Sequence, residues 1–115
     1  MTDYTTLRTT MVDTQIRPAD ITKFPIIEAM LKVRREMFVP DQMRQTAYTD
    51  SIVCLEGDRI ILDPRSFGKM LDALNIQSDE LVLDIGSGLG YSAAVIGKVC
   101  DCLLYTSDAA DDALS

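Results

Sequence analysis

A chain of 115 residues with 47% apolar content has the size of one small domain with a packed core. Its 18 acids against 11 bases leave a net charge of −7, which repels phosphate backbones and anionic membrane surfaces, so neither nucleic acid nor a membrane is expected as a partner. The absence of histidine excludes imidazole catalysis and histidine-ligated zinc within the chain, and Cys54, Cys100 and Cys102 are too sparse for a disulfide framework.

The amino terminus "MTDYTTLRTT" lacks the basic-then-apolar order of a signal peptide, and no run reaches the roughly 18 to 20 apolar residues of a membrane span. A cytoplasmic location is expected. In "DITKFPIIEAMLKV", Ile21, Phe24, Ile27 and Leu31 recur at helical spacing, which predicts one core-facing stripe. Pro25 fits only in the first turn, so the helix is expected to start near Lys23. Arg34 and Arg35 then read as a solvated helix end, where cations favour the carbonyl-rich terminus.

From Asp50 the pattern changes. "SIVCL" and "RIIL" are short and rich in branched residues, and the intervening "EGD" predicts a hairpin. "DPRSFGKMLDALNI" sets Phe67, Met70, Leu71 and Leu74 at helical spacing, with Asp63 as N-cap and Pro64 in the first turn. "ELVLDIG" has consecutive apolar residues without alternation, the pattern of a strand covered on both faces. "YSAAVIGKV" suits a helix. One β–turn–α unit therefore follows a largely helical first half.

Gly86, Gly88 and Gly90 lie in the turn of that unit, where glycine permits positive φ and lets a ligand approach the backbone. A phosphate-cradling P-loop needs Gly-Lys followed by Ser or Thr, and Gly90 is followed by Tyr91. The dinucleotide fingerprint wants its third glycine where Tyr91 stands, which weakens nicotinamide-dependent oxidoreduction. Asp84-Ile85-Gly86-Ser87-Gly88-Leu89-Gly90 instead matches the D/E-x-G-x-G-x-G signature of methyltransferases that use S-adenosylmethionine. The plain structural alternative is a strand–helix turn whose glycines serve close packing.

The blocks "MVDTQIRP", "EAMLKVRREMFVP", "AYTD", "DPRSFGKMLDAL" and "LVLDIGSGLGY" occur in the order seen in protein-L-isoaspartate (D-aspartate) O-methyltransferases, and the sequence resembles that family over roughly residues 11 to 100. Its "AM..V.RE.FVP" block is matched by Ala29, Met30, Val33, Arg35, Glu36, Phe38, Val39 and Pro40, and its "AY.D" by Ala47, Tyr48 and Asp50. The resemblance implies an α/β, Rossmann-like S-adenosylmethionine-dependent methyltransferase fold with an N-terminal helical extension, truncated here after the first strand–loop–helix unit. It implies methylation of the free α-carboxylate of isoaspartyl residues in proteins or peptides. Asp84, Gly86, Ser87, Gly88, Leu89, Gly90 and Tyr91 are the cofactor-binding candidates. No residue is assigned as catalytic, and this chain is expected to be inactive alone.

The family's hydroxyl-bearing Thr-Ile-Ser type segment is replaced here by Ile60, Ile61 and Leu62, which keeps open a non-catalytic or divergent methyltransferase-like binding module. Arg17 and Arg65 could attract an anionic substrate, although solvated surface arginines are the commoner outcome. Cys100-Asp101-Cys102 supplies only two of the roughly four ligands of a structural zinc, so no metal is expected. The final "CLLYTSDAADD" resembles the conceptual translation of a transposase-type sequencing adapter. Residues 1–101 are therefore read as the N-terminal part of a methyltransferase domain and residues 102–115 as a non-native tail.

Overall fold

Helix α1 (Tyr4–Met11) begins at Asp3, whose carboxylate accepts a hydrogen bond from the Thr6 amide at 3.2 Å and so satisfies one of the donors left open at a helix start. The computed structural model describes residues 2–86, 88–100 and 102–105. After α1 the chain widens into a π turn (Val12–Ile16) and then tightens into a 3-10 turn (Arg17–Ala19). Val12 and Ile16 of the π turn are fully buried, so this irregular segment belongs to the core.

Helix α2 (Phe24–Lys32) has Lys23 as N-cap and Pro25 in its first turn, as the proline predicts. Its buried face matches the expected one only in part, since Ile21 and Ile27 are buried as expected but Phe24 and Leu31 are not. Ile26, Ile27, Ala29 and Met30 are buried, whereas Phe24 is 70% exposed and Leu31 is half-buried. Ile21 is buried but precedes the helix, so a stripe counted from it does not describe the buried face of α2 itself, a helix that packs on α4, the helix over Tyr91–Val99.

Arg34 is exposed, but Arg35 is buried, which corrects the reading of both as a solvated helix end. Helix α2 has already ended, and Arg35 opens a 3-10 turn (Arg35–Phe38) that turns its guanidinium inward. Its Nε donates to the Ala47 carbonyl at 2.5 Å and its Nη2 to the Leu62 carbonyl at 3.0 Å. A second 3-10 turn (Asp41–Thr46) leads to the predicted hairpin.

Strands β1 (Val53–Cys54) and β2 (Ile60–Ile61) pair antiparallel, with Val53 opposite Ile61 and Cys54 opposite Ile60. Helix α3 (Pro64–Leu74) is capped by Asp63, whose Oδ2 accepts from the Ser66 amide at 3.0 Å. Partial burial pushes the Asp63 carboxyl up, but hydrogen bonds from Ser66 outweigh it and hold it below its ordinary value. Phe67 and Leu71 are buried as expected, while Met70 and Leu74 are exposed. The contact line of α3 runs instead through Gly68, where a Cβ would lie 2.7 Å from Ile21 Cδ1. This close seat on the π-turn region leaves Met70 and Leu74 on the flank.

Strand β3 (Leu81–Asp84) leads through the glycine turn to helix α4 (Tyr91–Val99) and then to β4 (Cys102–Tyr105). Strands β3 and β4 pair in parallel, from Leu81 opposite Cys102 to Asp84 opposite Tyr105. The chain thus contains one parallel strand more than the single strand–loop–helix unit expected from sequence, because the apolar "CLLY" run can complete a backbone ladder with β3. The expected cover on both faces of β3 is also corrected. Val82 and Leu103 pack against the core, but Leu81, Leu83 and Leu104 are exposed, so α4 covers one face only. Residues 106–115 of the expected tail lie outside the described residues. No described helix is long and apolar enough to cross a membrane.

A buried polar network joins α1 to the segments after α2. Arg8 Nη2 lies 3.2 Å from Glu36 Oε1, Arg8 Nε donates to Tyr48 Oη at 2.9 Å, and Tyr48 Oη donates to Glu36. Gln15 Nε2 adds a hydrogen bond to the Tyr48 carbonyl at 2.8 Å. Burial pushes the Glu36 carboxyl up, but the hydrogen bonds from Tyr48 and Arg8 win and hold it below its ordinary value. Burial, reinforced by the hydrogen bond to Glu36, pushes the Tyr48 hydroxyl up to about 12.

Glu36→Gln leaves the buried Arg8 cation unpaired and is expected to cost roughly 3 kcal/mol in urea unfolding at neutral pH. Because the folded-state value of Glu36 lies below its ordinary 4.5, the ionic contribution is fully present above that pH and is lost as pH falls through the folded value. The stability gap between wild type and variant should therefore close in acid. Tyr48 has the opposite sign: its contribution is fully present below pH 10 and is lost as pH rises through about 12, so Tyr48→Phe should remove that alkaline loss. A gap that stays constant from neutral to acid pH would contradict the ionic account of Glu36.

Candidate functional site

The site is built where β3 ends. Asp84 is the last strand residue, and its Oδ2 accepts from Ser92 Oγ, in the first turn of α4, at 2.7 Å. That bond spans the glycine turn and fixes the carboxylate against the helix start. Gly86, Gly88 and Gly90 all have positive φ, at 75°, 64° and 102°. At Gly86 a side chain would be strained by the backbone, yet a Cβ there meets nothing within 4 Å. The backbone therefore borders open space at the place where the sequence predicts close approach of a ligand.

A cavity of about 220 Å3 lies beside this turn. Asp84, Ile85, Gly86, Tyr91 and Ser92 line one side, and Ile60, Ile61, Leu62, Phe67 and Met70 line the other. Of the sequence-predicted residues, Asp84, Gly86 and Tyr91 thus share one cavity. Gly88, Leu89 and Gly90 form the rest of the turn without lining it, Leu89 is exposed, and Ser87 lies outside the described residues. The donor set suits a ligand with a cationic end and an apolar body: one carboxylate, a glycine backbone with room above it, and aliphatic and aromatic walls.

Tyr91 is the first residue of α4, and its ring is buried between Phe38, 6.1 Å away between centroids, and Phe67, at 5.8 Å. The Arg35 guanidinium carbon lies 4.6 Å from the centroid of the same ring. Burial pushes the Tyr91 hydroxyl above its ordinary value, and the charge of Arg35 opposes that shift. The two arginines considered as anion attractors are elsewhere: Arg17 pairs with Asp13 at 3.3 Å and Arg65 with Asp50 at 2.9 Å.

Phe67, Met70, Ile85 and Ser92 line the cavity without having been predicted as site residues, and Arg35 lies behind it. Ser92 carried a usable signal, since a hydroxyl in the first turn of the helix after the strand-ending acid is within reach of that acid. Arg35 carried none locally, because its two carbonyl partners come from 12 and 27 residues further along the chain.

The family model described as Protein-L-isoaspartate(D-aspartate) O-methyltransferase matches residues 7–102. The chain is 38% identical over 89 residues to the Protein-L-isoaspartate O-methyltransferase of Rhodopseudomonas palustris, which covers 77% of this chain and 41% of that protein. It is 39% identical over 97 residues to Protein-L-isoaspartate O-methyltransferase 2 of Marinobacter nauticus, covering 84% and 44%. The chain thus spans about two-fifths of the length of these curated relatives. A solved structure of a protein-L-isoaspartate O-methyltransferase superposes with a TM-score of 0.68 at 22% identity, covering 85% of this chain and 32% of that one, which shows a shared fold. Given the extent of the family match and the identity to its members, the chain belongs to the protein-L-isoaspartate(D-aspartate) O-methyltransferase family.

Proposed function

We propose that the full-length protein is a cytoplasmic S-adenosylmethionine-dependent O-methyltransferase that acts on the free α-carboxylate of isoaspartyl residues in proteins or peptides. The observation that carries this reading is the cavity shared by the Asp84 carboxylate and the Gly86 backbone in a chain of this family. Asp84, oriented by Ser92, would attract the cationic amino-acid part of the cofactor, and the turn through Gly86, Ser87, Gly88, Leu89, Gly90 and Tyr91 would let the backbone pass close to it. When bound, S-adenosylmethionine supplies an electrophilic methyl group. The chain needs no general base for a carboxylate nucleophile, because a group with a pKa of about 4 is already ionised at neutral pH. Alignment is then the main contribution of the protein, in keeping with a sequence that has no histidine.

The methyltransferase part is read as residues 1–101, and residues 102–115 as a tail foreign to the family. The end of the family match at residue 102 supports that boundary. One observation favours a second reading, a divergent or non-catalytic module. The wall formed by Ile60, Ile61 and Leu62 carries no side-chain hydroxyl toward the cavity.

The two readings separate in one experiment on the full-length protein, in which methyl transfer from S-adenosylmethionine to an isoaspartyl peptide is measured beside cofactor binding by calorimetry. Both should be seen. Binding without transfer would leave the fold's cofactor site standing and replace the repair reading by the second one. Asp84→Asn removes the charge of a single cofactor contact and should weaken binding by about 10-fold to 100-fold, the equivalent of about 1.5 to 3 kcal/mol for a hydrogen bond to a charged group. Introducing Thr at Ile60 and Ser at Leu62 should raise transfer more than binding if the aliphatic wall limits the substrate step.

A further inference from the structure

We infer that Arg35 is a positioning residue of the cofactor pocket, holding two of its walls in register from behind. The two walls come from segments far apart in sequence: Leu62 follows β2, and Tyr91 begins α4, yet both line the same cavity. One guanidinium reaches both. Arg35 Nη2 donates to the Leu62 carbonyl at 3.0 Å, and the guanidinium carbon stacks 4.6 Å from the Tyr91 ring centroid. Arg35 itself is 1% exposed and does not line the cavity, so its effect on a ligand passes through those two residues.

Stability alone does not account for this arrangement. Arg35 is in no ion pair within 4 Å among the described residues, so the buried cation is compensated by two carbonyl dipoles, the Tyr91 ring and hydroxyl, and the longer-range charge of Asp63. Removing a guanidinium from water is costly, and apolar side chains of similar volume commonly fill such positions with no loss of stability. A planar fork differs from an apolar side chain in direction: it fixes a carbonyl and a ring plane at a set separation, which lysine, a flexible point charge, does not do. Phe38, from the same 3-10 turn, adds to the clamp, since its ring lies 3.6 Å from where a Cβ on Gly90 would be. The turn that carries Arg35 is therefore the mould against which the glycine turn is set.

The functional consequence rests on the cavity being the cofactor site, whereas the positioning itself does not, and the experiment separates the two. Hydrogen–deuterium exchange of the full-length protein is compared for wild type, Arg35→Met, Arg35→Lys and Met30→Ala, the last a core truncation outside the cavity. Arg35→Met should speed exchange roughly tenfold in peptides spanning 60–66 and 88–93 while peptides over 24–32 change little, with Arg35→Lys only a partial rescue. Met30→Ala should show the reverse pattern. If the Arg35 variants loosen all regions equally, or leave 60–66 and 88–93 unchanged, Arg35 is a core cation and nothing more. In parallel, S-adenosylhomocysteine should bind wild type and bind Arg35→Met about tenfold more weakly, a change of about 1.4 kcal/mol. A wild type that fails to bind removes the cofactor reading and leaves the exchange result to decide the positioning. Binding by Arg35→Met at wild-type strength overturns the functional part.

Discussion

Arg35 and Glu36 are adjacent residues in one 3-10 turn, both are buried, and they do not neutralise each other; each draws a different part of the chain around it. Glu36 is reached by Arg8 from α1 and by the Tyr48 hydroxyl, and Arg34 approaches it from the solvent side at 3.4 Å. Arg35 takes the carbonyls of Ala47 and Leu62. Two charges withdrawn from water would be strongly destabilising if either set of partners were missing. The path of the chain from α1 to the start of α3 is therefore constrained at one turn, and the remaining packing is arranged about it.

The shape of the cavity follows from the same constraint. The side of the turn that holds Glu36 closes the helical region, whereas the side that holds Arg35 and Phe38 meets Tyr91 and Gly90. The glycine turn is permissive by composition, and three residues of left-handed φ have no intrinsic reason to keep one geometry. Pressing its exit against the half-buried Phe38 ring and the buried Tyr91, with a guanidinium stacked on Tyr91, supplies what glycine lacks. The family's "RE.FVP" and "AY.D" blocks thus acquire a physical meaning: Arg35, Glu36 and Phe38 from one, and Ala47 and Tyr48 from the other, form a single scaffold behind the cavity.

Much of the local structure was legible because its signals are local. The Pro25 helix start, the Asp63 cap, the hairpin around Gly57 and the Asp84–glycine turn each depend on residues within a few positions of one another. The faces of α2 and α3 were less legible. Both helices carry apolar residues that end up buried and others that end up exposed, and the choice among them was made by tertiary contacts, α4 against α2 and the Ile21 and Met30 side chains against Gly68. The buried charges were least legible of all. Glu36 pairs with Arg8 across 28 residues and Arg8 with Tyr48 across 40, so a charged cluster after a helix reads as a solvent-facing end until the fold is known.

The open face of the parallel pair follows from the same distinction between local and long-range structure. A parallel ladder between β3 and β4 needs only backbone donors and acceptors, which the "CLLY" run provides whatever its origin. Burying the sheet on both faces needs further chain, and with Leu81, Leu83 and Leu104 exposed this sheet is half covered. The relatives, of which this chain spans 41% and 44%, are long enough to supply that cover. What this chain does carry is the junction between the glycine turn and the hairpin end at Ile60, Ile61 and Leu62. On the proposed reading, a carboxylate nucleophile would ask for alignment rather than for acid–base help, and the chemistry of that second wall would then bear on substrate choice more directly than the glycines do.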